Sequence, residues 1–355
     1  MLENITLFSY IDLTDYAYIF FFTIIMMQII CNKNNFIKKF IPNYTAPQKI
    51  HQGDVSRLGG LVMLISTALF ISFWSDQEIK NMMLWFFIAF LPLGLITLAE
   101  DFNKTIPPWV RLIVMFCSSW LILKITEIPL PLFNTPLLSV LLADPFISSI
   151  FYTLCLVSLM NGVNFVDGTN GNFAFMTICI MISLCFLATI VGDIQFINLL
   201  ILCGTPLIVF SLFNYPWGKI FAGDIGAYLY GALIGFLILF FFGRHSDVSA
   251  WNVLLIVFYP IIEVIFSTIR KLFRGSSPLS ADTSHLHIKI FTLLYRGSKK
   301  SRQSNNLVTL FLGLFWLFPT MILPWVYHSH ILLAVTLTFL TFCYITLNLV
   351  IKIDQ

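Results

Sequence analysis

The chain has 355 residues, of which 58% are hydrophobic and only 10% charged, and its formal net charge is +3. A soluble domain carries about 25% charged residues, so this composition excludes an ordinary soluble protein, and the small positive charge gives no indication of nucleic-acid binding. Apolar runs of about 20 residues recur along the whole chain, and each is long enough to cross the hydrocarbon core of a bilayer.

In chain order, these runs predict an all-α fold, a polytopic transmembrane helical bundle of about eleven spans. The seven cysteines lie in or at the ends of the runs without a Cys-x-x-Cys pair, so we interpret them as small buried hydrophobes. No internal repeat or soluble domain is visible, and we expect residues 1–355 to form a single integral membrane domain. The predicted spans cover residues 16–31, 58–75, 82–98, 109–127, 146–160, 172–191, 196–212, 226–243, 251–267, 307–326 and 331–351.

The distribution of basic residues predicts the orientation of these spans. With the N-terminus outside, only Lys80, Lys124 and Arg244 of the 20 Lys and Arg residues lie outside, as the positive-inside rule requires. The C-terminus is then cytoplasmic. Acidic residues precede the first span, where a secretory signal peptide would be basic, so we expect no cleavable signal.

Several acidic residues cluster at the predicted inside ends of the spans. Glu100 and Asp101 close the third span, Asp167 closes the fifth, and Asp224 opens the eighth, while Glu263 lies within the ninth. Carboxylates that converge at one membrane depth repel one another unless a cation joins them, and oxygen ligands suit Mg²⁺. For any single acid, capping a helix or lying in headgroup water is an equally good explanation.

The longest polar stretch, residues 268–306, is predicted on the inside face. Its segment "RKLFRGSSPLSADTSHLHIK" combines basic residues, a Gly-Ser-Ser-Pro turn and two histidines, His285 and His287. Such groups can bind diphosphate oxygens. Zinc is the alternative, but no cysteine or third histidine is close in sequence. A loop that binds anionic lipid would explain the basic residues and would leave the histidines unexplained.

Five motifs follow one another on this predicted inside face, between about residues 45 and 295. On these residues the chain resembles the polyprenyl-phosphate N-acetylhexosamine-1-phosphate transferase superfamily, and the fifth motif is closest to its WecA-like branch, which starts O-antigen and other surface glycans. The last two spans, at about 307–351, follow the motif-bearing part. The motifs are "HQGDVSRLGGL", "LAEDFNKTIPPWVRL", "NGVNFVDGTNG", "NYPWGKIFAGDIGAYLYG" and "RGSSPLSADTSHLH".

The resemblance implies a phosphotransferase of the bacterial inner membrane with its active site on the cytoplasmic face. It would move sugar-1-phosphate from a UDP-N-acetylhexosamine to undecaprenyl phosphate and release UMP, with Mg²⁺ as cofactor and Mn²⁺ as an alternative. UDP-GlcNAc is the first-choice donor, and 6-deoxy or GalNAc donors stay open. The partners are then the two substrates and the lipid bilayer, with no nucleic acid, and a homodimer is left open.

The resemblance also assigns roles to residues. Asp224 is the expected principal Mg²⁺ ligand, and Asp167 lies near the metal and the diphosphate. Phe221 would stack on uracil, and Asp101 would deprotonate or position the lipid phosphate, for which Arg111 is the cation. The further catalytic candidates are Glu100, His285 and His287, and the further substrate-binding candidates are Asn161, Asn164, Asn170, Asn214, Arg57 and His51.

Among the departures from the family pattern, Glu100 begins an acidic pair that is usually Asp-Asp, and Asn170 replaces the second aspartate of the Asp-Gly-x-Asp-Gly turn. A catalytically inactive relative kept as a binding subunit is therefore an alternative. A secondary transporter is another, although transporters place carboxylates at mid-membrane and often in repeated halves. Direct attack by the lipid phosphate is the favoured chemistry, and a phosphorylated aspartate is the alternative.

Overall fold

The structure, a computed structural model, describes residues 13–32, 55–102, 105–278, 284–296 and 301–351. Within these residues every regular element is a helix, apart from one isolated parallel bridge between Ser56 and Ile220. The predicted all-α fold is therefore confirmed. The helices are α1 (Leu13–Cys31), α2 (Gly59–Ile71), α3 (Gln77–Asp101), α4 (Pro108–Thr126), α5 (Pro136–Leu142), α6 (Pro145–Val166), α7 (Asn172–Val191), α8 (Ile194–Asn214), α9 (Gly223–Arg244), α10 (Val253–Ile256), α11 (Phe258–Phe273), α12 (Leu286–Arg296), α13 (Ser301–Val326) and α14 (His330–Val350).

The structure supports fewer spans than the eleven predicted. Among the described residues, nine helices are long and apolar enough to cross a membrane, or ten if one bent pair counts as a span. The predicted span 58–75 is wrong in length, because α2 has only 13 residues. A helix of that size is about 20 Å long, whereas the hydrocarbon core is about 30 Å thick.

The predicted span 251–267 is broken into two helices. The segments Ala250–Ile256 and Phe258–Phe273 meet at an angle of 76°. Pro260 explains the position of the break, because proline has no backbone N–H to donate to Ile256 four residues earlier and its ring disfavours a continuous helix. After the bend, Glu263 of α11 contacts the segment that carries His285.

Helix α9 lies at the centre of the bundle, and its whole apolar stretch is buried. It packs against α2, α3, α6 and α7. The contact with α2 is a backbone contact, because a Cβ added to Gly60 would collide with the backbone of Gly226. Close packing of this kind places the N-terminus of α9 beside the start of α2 and the C-terminal ends of α3 and α6.

Aspartates cap three helices at the end of the bundle opposite to the N-terminus of α9. Asp76 accepts the backbone N–H of Ile79, and Asp144 accepts two N–H groups at the start of α6. Asp193 accepts the N–H of Phe196 at 3.0 Å. Such N-caps stabilise a helix by about 1 kcal/mol, so these acids have a structural explanation.

Candidate active site

A carboxylate from α3 holds the N-terminus of α9. Asp101 accepts the backbone N–H of Asp224 (3.0 Å to Oδ1) and of Ile225 (3.1 Å to Oδ2), and it is 1% exposed. Gly223 has φ of +70°, and a Cβ there would collide with Asp101 and with the Arg57 carbonyl. Asp101 therefore acts as an N-cap that comes from a distant part of the chain.

Arg57 joins this cap to the carboxylate of Asp224. Its Nε lies 3.3 Å from Asp101 Oδ1, and its Nη2 lies 3.2 Å from Asp224 Oδ1. The backbone fixes the segment that carries it, because Phe221 N–H donates to the Ser56 carbonyl at 2.9 Å. The first and fourth motifs thus meet through main-chain contacts, and Arg57 is brought to the carboxylates.

The carboxylate of Asp224 is only partly satisfied by protein groups. Its Oδ1 accepts hydrogen bonds from Arg57 and from Asn164 Nδ2, the latter at 3.3 Å. No hydrogen bond or ion pair to its Oδ2 comes from the part of the chain that the structure describes. This side chain is 24% exposed, so the second oxygen is available to a ligand.

Asp167 follows the last residue of α6 and lies close to Asp224. Burial raises the pKa of its carboxyl to about 7, and the charge of Asp224 raises it too, while Arg57 lowers it. Of the described residues, none forms a hydrogen bond or ion pair with this carboxylate. A further cation would stabilise the charged forms of both aspartates.

Asp167 and Asp224 fit a divalent metal ion. Mg²⁺ usually binds through one or two carboxylates and completes its coordination with water and substrate phosphates. Throughout the described ranges, no group of three or more His, Cys, Asp or Glu is arranged to hold a metal ion. The pair therefore suits an ion shared with a phosphate ligand rather than a closed structural site, and the choice of Mg²⁺ stays a prediction.

A second ion pair lies at the same end of the bundle. Arg111 Nη1 lies 3.0 Å and 3.3 Å from the two carboxylate oxygens of Glu100. The Arg111 guanidinium also lies 5.7 Å from the ring centroid of Tyr228, in the second turn of α9. Glu100 and Tyr228 thus orient Arg111, the cation that the sequence assigns to the lipid phosphate.

The two histidines lie against the turn that contains Asp167. The ring centroid of His285 is 4.8 Å from that of Phe165, and its ring stacks on His287 at 5.8 Å. A Cβ added to Gly168 would collide with His287 Nε2, so this histidine touches the backbone of the turn. Burial lowers the pKa of His287 to about 4, with a further contribution from the charge of His285.

All four predicted substrate-binding asparagines form hydrogen bonds within the protein, and the one from Asn164 to Asp224 is described above. Asn161 Nδ2 donates to the Val157 carbonyl of its own helix. Asn214 Oδ1 accepts the Gly171 N–H at 2.6 Å, and its Nδ2 donates to the Ile220 carbonyl at 2.9 Å. These bonds fix the turn after α6 and the segment before α9 relative to each other.

Asn170 is held by the first turns of α13. Its backbone N–H donates to Asn305 Oδ1 at 2.6 Å, and its carbonyl accepts from Thr309 Oγ1 at 2.6 Å. Its Nδ2 donates to Asn306 Oδ1 at 3.2 Å. An aspartate, which the family usually has here, could not donate that last hydrogen bond. Asparagine at position 170 is therefore compatible with the acceptor oxygen of Asn306.

Phe221 and His51 are the remaining substrate-binding candidates, and Glu263 and Asn305 are two residues to which the sequence assigned no role in the site. Phe221 is partly buried beside the N-terminus of α9, while His51 lies outside the described residues. The roles of Glu263 and Asn305 could not be assigned from the sequence. Glu263 gave one signal, an acid within an apolar run; Asn305 stands in an ordinary polar segment before a span.

Comparison with known proteins adds an independent finding. Residues 82–242 match the glycosyl transferase family 4 model. The chain is 24% identical to a "Probable undecaprenyl-phosphate N-acetylglucosaminyl 1-phosphate transferase" of Bacillus subtilis, over 71% of this chain and 70% of that protein. It is 24% and 25% identical to proteins of Thermotoga maritima and Haemophilus influenzae, each named "Undecaprenyl-phosphate alpha-N-acetylglucosaminyl 1-phosphate transferase". These two matches cover 76% and 81% of this chain, and 78% and 80% of the respective relatives.

The sequence motifs, their meeting at one end of α9 and these matches agree with one another. The resemblance to the polyprenyl-phosphate N-acetylhexosamine-1-phosphate transferase superfamily, which the motifs predicted, is therefore confirmed. The segment that matches the family model contains Asp101, Asp167 and Asp224. Arg57, Glu263 and His285 lie outside that segment, so the site is assembled from more of the chain than the model covers.

Proposed function

We propose that the protein transfers N-acetylhexosamine-1-phosphate from a UDP-sugar to undecaprenyl phosphate and releases UMP, as the initiating step of a lipid-linked surface polysaccharide. An oxygen of the lipid phosphate attacks the β-phosphorus of the donor, and the bond from that phosphorus to the oxygen of UMP breaks. The product is a lipid diphosphate sugar. No external oxidant or reductant is needed.

The open carboxylates of Asp167 and Asp224 carry this proposal. They lie at helix ends, beside Arg57, and no described residue binds the second oxygen of Asp224. A structural acid cluster would have its oxygens satisfied by protein groups, as buried polar groups generally are. An incompletely neutralised pair fits a site in which a metal ion and a diphosphate supply the remaining partners.

The side chains around this pair have separate roles in the reaction. Asp167 and Asp224 would hold Mg²⁺, which neutralises the charge that develops on the leaving UMP. Arg111, oriented by Glu100, binds the lipid phosphate. His285 binds an oxygen of the donor diphosphate, and Phe221 stacks on uracil. Asp101 keeps the start of α9 in place, which leaves its proposed action on the lipid phosphate to be tested.

UDP-GlcNAc is the first-choice donor. The names of the relatives support it, since three of them refer to N-acetylglucosaminyl 1-phosphate transfer to undecaprenyl phosphate. Their identity of 24% to 25% leaves room for another N-acetylhexosamine. A 6-deoxy donor or a GalNAc donor would use the same site, because the proposed chemistry involves only the diphosphate.

A direct assay tests the proposal. The full chain, purified in detergent or nanodiscs, is given undecaprenyl phosphate and a panel of UDP-sugars, and UMP release is measured with Mg²⁺, with Mn²⁺ and with a chelator. We expect metal-dependent release with at least one UDP-N-acetylhexosamine. Binding of UDP-sugar without release by well-folded protein would instead indicate an inactive binding subunit. Labelled phosphate retained on the protein after donor addition alone would indicate the two-step route.

A further inference from the structure

The proposed reaction leaves Glu263 without a role. This carboxylate lies in α11, in the second half of the bent span, and it is 1% exposed. Removing a carboxylate from water costs several kcal/mol unless partners compensate. Ionisable residues within membrane segments are therefore rare and usually serve a function, so the partners of Glu263 indicate what that function is.

Glu263 binds the segment that carries the two histidines. Its Oε2 lies 3.1 Å from His285 Nδ1, and its Oε1 accepts the backbone N–H of Leu286 at 3.3 Å. The carboxylate thus connects the bent span and the start of α12 at one buried point.

These contacts determine which nitrogen of His285 can meet a ligand. An ionised carboxylate only accepts hydrogen bonds, so Nδ1 carries the proton that points to Glu263. Nε2 lies on the opposite edge of the ring, and no described residue forms a hydrogen bond with it. Since the ring packs on Phe165, two residues before Asp167, Nε2 is left for a ligand bound at the turn.

We propose that Glu263 is a positioning residue for the transferase site. It fixes the ring orientation of His285 and the proton on Nδ1, so that Nε2 is the atom presented to the diphosphate of the donor. Orientation of a reacting imidazole by a buried carboxylate is a general device in enzymes. This inference rests on the proposed function, because the ligand of His285 is the donor of that reaction.

A purely structural role for Glu263 makes a different prediction. As a cap for α12, it would act through Leu286 N–H, and its loss would affect stability whether or not His285 is present. As a positioning residue, it acts on turnover only through the imidazole. A double-mutant cycle separates the two, because residues that act through one another are strongly non-additive.

The chain supplies a matched control at the far end of the bundle. Asp193 is also a buried carboxylate that accepts a backbone N–H, and its Oδ2 lies 2.8 Å from His245 Nε2. It lies at the opposite end of α8 from the candidate site. Asp193→Asn therefore removes the same kind of charge and hydrogen bond without touching the proposed machinery.

The experiment measures kcat and KM for the UDP-sugar in Glu263→Gln, His285→Ala, the double variant and Asp193→Asn. Glutamine has one acceptor oxygen and one amide donor, so it cannot accept from both N–H groups through separate oxygens. We expect Glu263→Gln to lower kcat about tenfold or more with KM within about threefold of wild type. In the His285→Ala background the same change should alter kcat/KM by less than about twofold, and Asp193→Asn should leave kcat unchanged.

Two results would overturn the inference. One is a folded Glu263→Gln with wild-type kcat, and the other is an equal loss of activity in the presence and absence of the His285 imidazole. Absence of UMP release from the wild type with every donor would instead remove the proposed function. These outcomes are distinguishable, since the first two require an active wild-type protein.

A second measurement covers the case in which Glu263→Gln does not fold. The wild-type protein is labelled with ¹⁵N-histidine, and the His285 resonances are identified by their absence from His285→Ala. We expect a proton on Nδ1 of His285 at neutral pH. An unprotonated Nδ1 would contradict the proposed orientation, whatever the activity of the variants.

Discussion

Carboxylates lie at both ends of the pair of helices α8 and α9, and the number of protein groups that bind them differs between the two ends. At the far end, Asp193 accepts a hydrogen bond from Phe196 N–H, lies 2.8 Å from His245 and lies 3.6 Å from Arg244. Its charge and its hydrogen-bonding capacity are both matched by protein groups. This carboxylate is explained by structure alone, as buried polar groups usually are.

At the other end, the described residues contain more acid than base. Glu100, Asp101, Asp167 and Asp224 lie near Arg57 and Arg111, and the two arginines reach only three of the four acids. Like charges this close destabilise one another unless a cation is present. The difference indicates that the far end is complete as folded, while the site end is complete only with its ligands.

The largest effect on turnover is expected for a substitution of Asp224, at the site end. Asp224→Asn should abolish transfer while the protein stays folded, because it removes the carboxylate that is open to a metal ion. Turnover at saturating Mg²⁺ should fall below about a tenth of wild type, which corresponds to an increase of more than about 1.4 kcal/mol in the activation free energy. Asp193→Asn, measured beside it, should retain activity within about twofold. Equal loss in both variants would remove the distinction between the two ends.

A smaller effect is expected for His285. Because its imidazole is proposed to bind the diphosphate in the transition state, His285→Ala should lower kcat/KM by about 10²-fold, or about 2.7 kcal/mol. Its Mg²⁺ dependence should change little, because the expected metal ligands are carboxylates. The control is Arg274→Ala, which removes an exposed charge from the same stretch. A comparable loss in Arg274→Ala would show that the segment acts by bulk charge.

Phe221 should affect binding more than turnover. Stacking of a base on an aromatic side chain is worth about 1–3 kcal/mol, so Phe221→Ala should raise the KM for the UDP-sugar about tenfold and leave that for the lipid acceptor nearly unchanged. Phe342→Ala, in α14, is the control, since that ring is 69% exposed and faces the surroundings. An unchanged donor KM in a folded Phe221→Ala would indicate a packing role.

The last prediction concerns stability rather than turnover. The pKa of His287 is lowered to about 4, whereas an unfolded histidine titrates near 6.5. Between these values the unfolded chain binds a proton that the folded chain does not, so the free energy of unfolding should fall as pH drops from about 6.5 toward 4, by up to roughly 3 kcal/mol. His287→Gln should flatten this dependence in thermal unfolding, and His328→Gln, at an exposed position, should not.

The sequence indicated which acids lie together better than it indicated their contacts. Asp101, Asp167 and Asp224 were candidates because acids at the ends of apolar runs are unusual. That Asp101 caps α9 could not be found, because this contact joins residues 123 positions apart and depends on how α3 packs on α9. Likewise, the resemblance assigned Asn170 and Asn214 to substrate binding. In the structure, the side chain of Asn214 binds the backbone of Gly171 and Ile220, and the side chain of Asn170 binds that of Asn306.

The number of spans was overestimated for a local reason. Hydropathy detects the apolar run 58–75, but it does not indicate that the helix ends at Ile71. It also does not indicate the 76° bend before α11. Pro260 was visible, yet proline occurs within other helices here, for example at Pro92 in α3. Whether a proline breaks a span depends on what the neighbouring helices supply to the freed carbonyl.

The hydrogen bonds between α13 and Asn170 have a consequence for biosynthesis. All five motifs have been synthesised by residue 287, but two of the side chains that hold the turn beside Asp167 come from Asn305 and Thr309. These two hydrogen bonds can form only after α13 has been synthesised and has packed against α7. A nascent chain that already contains every acid of the site therefore lacks part of the support of this turn.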